Sequence, residues 1–247
     1  MVRSELFREH NIIGNPMVHV ERMVEWDVDE LIIIDITEGD EIKYDIYRDD
    51  YRQKGAKDLL DFILRAASEC RIPLTFGGRI RTFDDIRLRI LNGADKVSVN
   101  AVMAENPDLI TQAAYAFGSQ AVIVSVDYRM VDGGPRVFTH HARKDTGVDP
   151  ADWARRAQDL GAGEILLNAV DRDGTARGYD IETIDRVAKA VTIPVIACGG
   201  AGHVSHFAKC FAETDAGAVA AGNIFHFTEN AYPHAKKYLR ERRSDIR

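Results

Sequence analysis

Residues 193–202 read IPVIACGGAG, and residues 72–80 read IPLTFGGRI. Each is an Ile-Pro start, a short apolar run and a pair of glycines, the pattern of a buried strand that ends in a loop where backbone must come close to something. The two lie 121 positions apart, from 72 to 193. They are not the only pair. Glu30 followed by LIII matches Glu164 followed by ILL, 134 positions on, and Ala94-Asp95-Lys96-Val97 matches Ala216-Gly217-Ala218-Val219, 122 positions on. The chain therefore reads as one β/α segment used twice. The fall in offset from 134 to 121 places about 13 extra residues between Thr37 and Ile72. They form an insertion at about 38–54 that is polar and carries Tyr44, Tyr47 and Tyr51; such a stretch serves as a partner surface or a lid.

Apolar runs recur at 31–36, 73–76, 96–99, 121–126, 165–167, 194–197 and 217–220. None alternates strictly with polar residues, as expected of strands covered on both faces. Helical stretches lie between them at 57–70, 83–92, 106–117, 150–160, 181–190 and 203–213. Strand and helix alternating through 247 residues predict a parallel sheet in one α/β domain spanning 1–247, a (β/α)8 barrel built of two half-barrel repeats. An open doubly wound sheet is the weaker fit, because no GxGxxG follows an early strand. The half-barrel counterpart of the strand 121–126 falls before Met1, so the barrel is expected without its first strand.

Composition narrows the function. A net charge of −7 and a pI near 5.6 disfavour nucleic acid or an anionic membrane as partner. Cys70, Cys198 and Cys210 form no CxxC pair and leave one thiol over, which fits a reducing cytoplasm. The aliphatic runs are too short to span a bilayer, and the opening MVRSELFREH has no apolar signal core.

The chemistry is expected at the strand ends, where barrels keep their active sites. Residues 164–175, EILLNAVDRDGT, break from an apolar strand into Asp171, Asp173 and Gly174. By itself DxDGT is more often a turn than a phosphate site. Two further glycine-rich loops follow, at 198–202 (CGGAG) and 220–223 (AAGN), and consecutive loops of this kind near helix N-termini are how this fold binds phosphate. A weaker echo stands in the first half at Gly77-Gly78-Arg79 and at Asn100-Ala101. Two such sites imply a small ligand phosphorylated at both ends.

The stretches LIIIDIT, IPLTFGGRI, GADKVSVN, FGSQAVIVSVD, GAGEILL, DRDGT, GYD, IPVIACGGAG and NIFHF, in this order over nearly the whole chain, resemble the cyclase subunit of imidazole glycerol phosphate synthase. The resemblance implies a (β/α)8 lyase of histidine biosynthesis without a cofactor. It would take ammonia from a glutaminase subunit through the barrel core, and convert a diphosphorylated phosphoribulosyl aminoimidazole-carboxamide nucleotide to imidazole glycerol phosphate and AICAR. It makes Asp127 a catalytic carboxylate and places its companion on the strand this chain lacks. It assigns phosphate contacts to Asp173, Gly174, Gly200, Gly222 and Asn223, and to Gly78, Arg79, Asn100 and Ala101. Asp35 and Asn168 line the same mouth, and Arg3 stands where the family has a substrate-contacting lysine. Arg79 replaces a glycine, Ala101 a hydroxyl residue and Asn168 a threonine. At the opposite face the resemblance makes Glu30, Lys96 and Glu164 an ammonia gate and turns Asp95 toward the glutaminase.

Two other functions fit the same residues. One is a paralogue that passes ammonia to another acceptor, such as a surface-sugar amidation pathway, to which Arg79 and Ala101 point. The other is a glutaminase-binding scaffold without chemistry. His203 and His206 sit one helical turn apart without a third ligand in view, so no metal is expected. His140-His141 reads as a loop pair, and Cys198 as a small core residue.

Overall fold

The computed structural model describes residues 1–37, 56–226 and 229–247. The expected insertion at 38–54 lies outside the described residues. Contacts divide the chain into two compact units, the first Met1–Val2 with Ile12–Ser98 and the second Arg3–Asn11 with Val99–Arg247. Near the N-terminus, β1 (Val2–Glu5) and β2 (Glu9–Ile12) pair in a two-stranded sheet of their own.

In the first unit α1 (Pro16–Glu25) follows Asn15, whose side chain caps it by accepting from Met17 N, with proline at the first helical position. Then come β3 (Leu31–Ile34), α2 (Leu59–Glu69), β4 (Leu74–Gly77), α3 (Phe83–Leu91) and β5 (Lys96–Val99). Every residue of β4 is buried. Asp58 caps α2, and a reciprocal Thr82–Asp85 capping box opens α3. Met17, Val20, Phe62, Ile63, Leu74 and Phe76 form the core. The rings of Phe62 and Phe76 meet edge to face at 5.9 Å.

The second unit contains α4 (Val102–Glu105), α5 (Asp108–Phe117), β6 (Val122–Val131), β7 (Gly134–Thr139), β8 (Lys144–Asp145) and α6 (Pro150–Asp159). These are followed by β9 (Glu164–Ala169), α7 (Ile181–Ala190), β10 (Val195–Cys198), α8 (Val204–Glu213), β11 (Ala218–Val219) and α9 (Ala231–Arg240). Strands β6, β9, β10 and β11 pair in parallel, in that order. Past the expected end of its strand, β6 continues into an antiparallel hairpin with β7, closed by Asp132-Gly133.

The repeat is present down to the register. Leu31 pairs with Leu74 and Thr75 with Lys96 in the first unit. In the second, Ile165 pairs with Val195 and Ile196 with Ala218, the same positions moved by the repeat offsets. Single hydrogen bonds repeat too: Leu31 N donates to Pro73 O at 3.0 Å and Ile165 N to Pro194 O at 2.9 Å. The α/β class and the half-barrel repeat are thus as expected. No described helix is long and apolar enough to cross a membrane.

Candidate active site

Parallel strands put successive side chains on opposite faces, so one residue in two of each strand points the same way. At the C-terminal ends of three adjacent strands one row reads Asp127 on β6, Asn168 on β9 and Cys198 on β10, paired Asp127 to Asn168 and Asn168 to Cys198. Asp127 is buried. Its Oδ1 accepts from Ser125 Oγ and its Oδ2 from Asn100 Nδ2, both at 3.1 Å. Burial pushes its carboxyl up from 3.8 to about 7; the hydrogen bonds from Ser125 and Asn168 oppose the shift, and the nearby charge of Asp173 adds to it. The result is a carboxyl close to half-protonated at neutral pH. Burial and the Asp173 and Asp127 charges push the Cys198 thiol to about 12, so Cys198 is a neutral wall of the site and no nucleophile.

Beside this row is a cavity of about 290 Å³. Its wall gathers Asp173, Gly174, Gly200, Gly222 and Asn223 from three successive loops, and Arg3 joins them. All five phosphate residues assigned to the second half therefore share one cavity. Gly200 has a φ of +99°, and a Cβ there would lie 2.2 Å from Gly178 O. Only glycine fits, because Gly178 N donates to Gly200 O at 2.7 Å and draws the two loops together. Asp173 is held by the segment 3–11: Leu6 N donates to its carbonyl at 3.1 Å, and Phe7 N to its carboxylate. Its Oδ2 is buried with no hydrogen-bond partner among the described residues. Burial pushes Asp173 to about 6, with the charge of Glu5 adding to the shift. Asn223 Nδ2 donates to Ser4 O at 2.9 Å.

The remaining predicted residues divide between the units. In the first, Gly78 has a φ of +83° and Arg79, where the repeat has Gly200, has +55°. Asp35 Oδ1 accepts from Thr37 N at 2.9 Å, closing the turn after β3. Lys96 and Glu30 form a half-buried ion pair at 2.9 Å. Asp95 is exposed, and its Oδ2 accepts from Leu74 N at 2.8 Å, so its carboxylate also fastens the start of β4. In the second unit Glu164 opens β9, Asn100 spends its amide on Asp127 and Ser125, and Ala101 precedes α4. His203 caps α8 by accepting from Ser205 N, and His206 accepts from Gly202 N, so both serve the turn into that helix.

Two contributors lie beyond the sequence reading. Arg89 on α3 is fully buried and donates to Gly78 O at 2.9 Å and Asp85 O at 2.8 Å, fixing the loop after β4. Its signal is a cation at an apolar helical position, three after Ile86. Tyr128 is buried behind Asp127 and donates to Asp180 Oδ2 at 3.0 Å. Its signal is the GYD end of the DRDGT loop.

A family model described as histidine biosynthesis protein matches residues 1–231. The chain belongs to that family. Among curated members of the histidine biosynthesis family it is similar to imidazole glycerol phosphate synthase subunit HisF of Metallosphaera sedula, 40% identical over 247 residues, which is 100% of this chain and 93% of the relative. The same-named subunit of Alkaliphilus metalliredigens is 43% identical over 242 residues, 98% of this chain and 91% of the relative. That of Hydrogenobaculum sp. is 40% identical over 235 residues, 95% and 88%. In this chain the glycine-rich loops at 198–202 and 220–223 and the strand-end Asp127 stand on a β/α scaffold, the carboxyl buried and the loops lining one cavity.

Proposed function

We propose that the chain is the cyclase subunit of imidazole glycerol phosphate synthase, an enzyme of histidine biosynthesis and a lyase. It takes ammonia from a glutaminase subunit and converts a phosphoribulosyl aminoimidazole-carboxamide nucleotide to imidazole glycerol phosphate and AICAR. The observation that carries this reading is Asp127, a buried carboxyl near 7 at a strand end, in the same unit as a glycine-built cavity. Adding ammonia, expelling an amine and closing a ring all require protons to be taken and given. A carboxyl with a pKa near the working pH does both with the smallest penalty. Asp173, at about 6, is a second titrating group within electrostatic reach of the first.

The cavity supports binding of one phosphate end. The N–H groups of its glycine loops approach an anion closely, and Arg3 supplies the positive charge. The Lys96–Glu30 pair supports a gated entry for ammonia from the partner.

The test is turnover of the phosphoribulosyl nucleotide by purified protein supplied with an ammonium salt, followed by loss of substrate absorbance and identification of both products. Formation of imidazole glycerol phosphate and AICAR sustains the proposal. A folded protein that binds the nucleotide and turns none over, alone or with a glutaminase, sinks it.

A further inference from the structure

The strand that carries Asp127 is fastened to the loop that carries the anion-binding residues, at two places that do not include Asp127 itself. Tyr128, the next residue, faces the other side of β6 and is fully buried. Its hydroxyl donates to Asp180 Oδ2 at 3.0 Å. Two residues further on, Met130 N donates to Asp171 Oδ2 at 2.8 Å. Asp171 and Asp180 bracket the segment holding Asp173 and Gly174.

Asp180 sits at the N-cap of α7, where an aspartate normally accepts from the first turn of the helix, yet its side chain makes no capping bond. The carboxylate is turned to Tyr128 instead. Buried Thr183, on the first turn of α7, also hydrogen-bonds the Tyr128 hydroxyl, and the Arg172 guanidinium lies close enough to act on it. Arg172 Nη1 in turn donates to Gly178 O at 3.2 Å, and Gly178 N to Gly200 O at 2.7 Å. Asp180 lies two residues after Gly178, so the link from the residue after Asp127 reaches Gly200 in the cavity wall through the Tyr128–Asp180 bond, two residues of backbone and the Gly178–Gly200 bond.

We propose that Tyr128 is a positioning residue: through Asp180 it locks the end of β6 to the 171–180 loop, and so holds the Asp127 carboxyl at a fixed place relative to the bound phosphate. The hydroxyl itself touches neither Asp127 nor the cavity. Its effect is on geometry, and misplacement of a reacting group by about 1 Å costs on the order of a hundredfold in rate.

The experiment compares wild type, Tyr128→Phe, Asp180→Asn and the double variant. The kinetic arm, which rests on the cyclase reading, measures ammonia-dependent kcat and KM. Both single variants are expected to lose about tenfold or more in kcat with little change in KM, and the double variant no more than either, because one lock is broken in all three. The second arm needs no turnover. Carbon-13 NMR follows titration of the Asp127 carboxyl, which faces Asp173, Cys198 and the hydrogen-bonding side chains of Ser125, Asn100 and Asn168, with and without inorganic phosphate. In wild type, phosphate raises the Asp127 midpoint. In Tyr128→Phe the midpoint is expected to move toward the ordinary carboxylate value, and its response to phosphate to shrink. Unchanged kcat with an unchanged midpoint overturns the proposal, and so do additive losses in the double variant. If wild type turns nothing over, the cyclase reading fails and the midpoint alone decides the lock.

Discussion

Replacing Asp127 by asparagine is expected to make the protein more stable while it removes the activity, and the gain has a definite pH signature. The carboxyl ordinarily titrates at 3.8 and in the folded protein at about 7. An acid whose folded pKa is raised binds more protons folded than unfolded, so its contribution is fully present below 3.8 and is lost as pH rises to about 7. The loss is about 1.4 kcal/mol per pH unit, on the order of 4 kcal/mol over the whole window. Asparagine has no charge to bury and escapes this loss. It does meet the donors that the carboxylate accepts from, Ser125, Asn100 and Asn168, with one acceptor oxygen, an offset of about 1–2 kcal/mol that does not depend on pH. The two proteins should therefore be about equal in stability near pH 5. The variant should lead by about 2–3 kcal/mol at pH 8, the gap widening mostly between those values. Urea unfolding at a series of pH values measures it. A gap that stays constant across pH would mean that Asp127 is ionised at ordinary carboxylate pH in the folded protein, and would refute the argument for its role as a proton carrier.

Gly200→Ala should cost about 2–4 kcal/mol in urea unfolding, because it forces a side chain into a left-handed backbone and parts Gly178 N from Gly200 O; it should also abolish binding of inorganic phosphate, read by calorimetry. A diphosphorylated nucleotide at 100 times its Kd should stabilise wild type by about 2.7 kcal/mol, and the alanine variant far less. Arg89→Met, which leaves Gly78 O and Asp85 O without their buried donor, should lower stability by about 1–3 kcal/mol per lost partner, seen as a lower urea midpoint. Glu30→Gln breaks a partly exposed pair worth at most about 1 kcal/mol; turnover driven by ammonium salt should survive it while turnover driven by glutamine and the partner falls.

What could be read beforehand from the residues is what repeats or is chemically irreplaceable. The register of β3, β4 and β5 reappears in β9, β10 and β11 because the same apolar lengths separate the same Pro and Gly positions. The loops at Gly174 and Gly200 were legible as places of close backbone approach, because both have positive φ and an added Cβ would lie 2.6 Å from Ser4 O and 2.2 Å from Gly178 O. The misses have local causes. Helix α1 carries both an apolar stripe, Met17, Val20 and Met23, and an Asn15-Pro16 start, but it precedes the strand at 31–36 from which the alternation of strands and helices is read. The β6–β7 hairpin is announced by Asp132-Gly133, a turn signal that a strand-and-helix alternation passes over. The Asn100 amide is engaged by Asp127 and Ser125, a long-range pairing that spacing does not reveal. Tyr128 and Arg89 are buried polar groups in otherwise apolar company, and only their partners' positions explain them.

The account rests on Asp127 giving and taking protons, and the pH dependence of ammonia-supported kcat tests that most directly. The expected profile has an inflection near 7 in wild type, and turnover in Asp127→Asn is lower by on the order of a hundredfold or more. An asparagine variant that retains most of the wild-type kcat, or a wild-type profile flat through neutral pH, would contradict it.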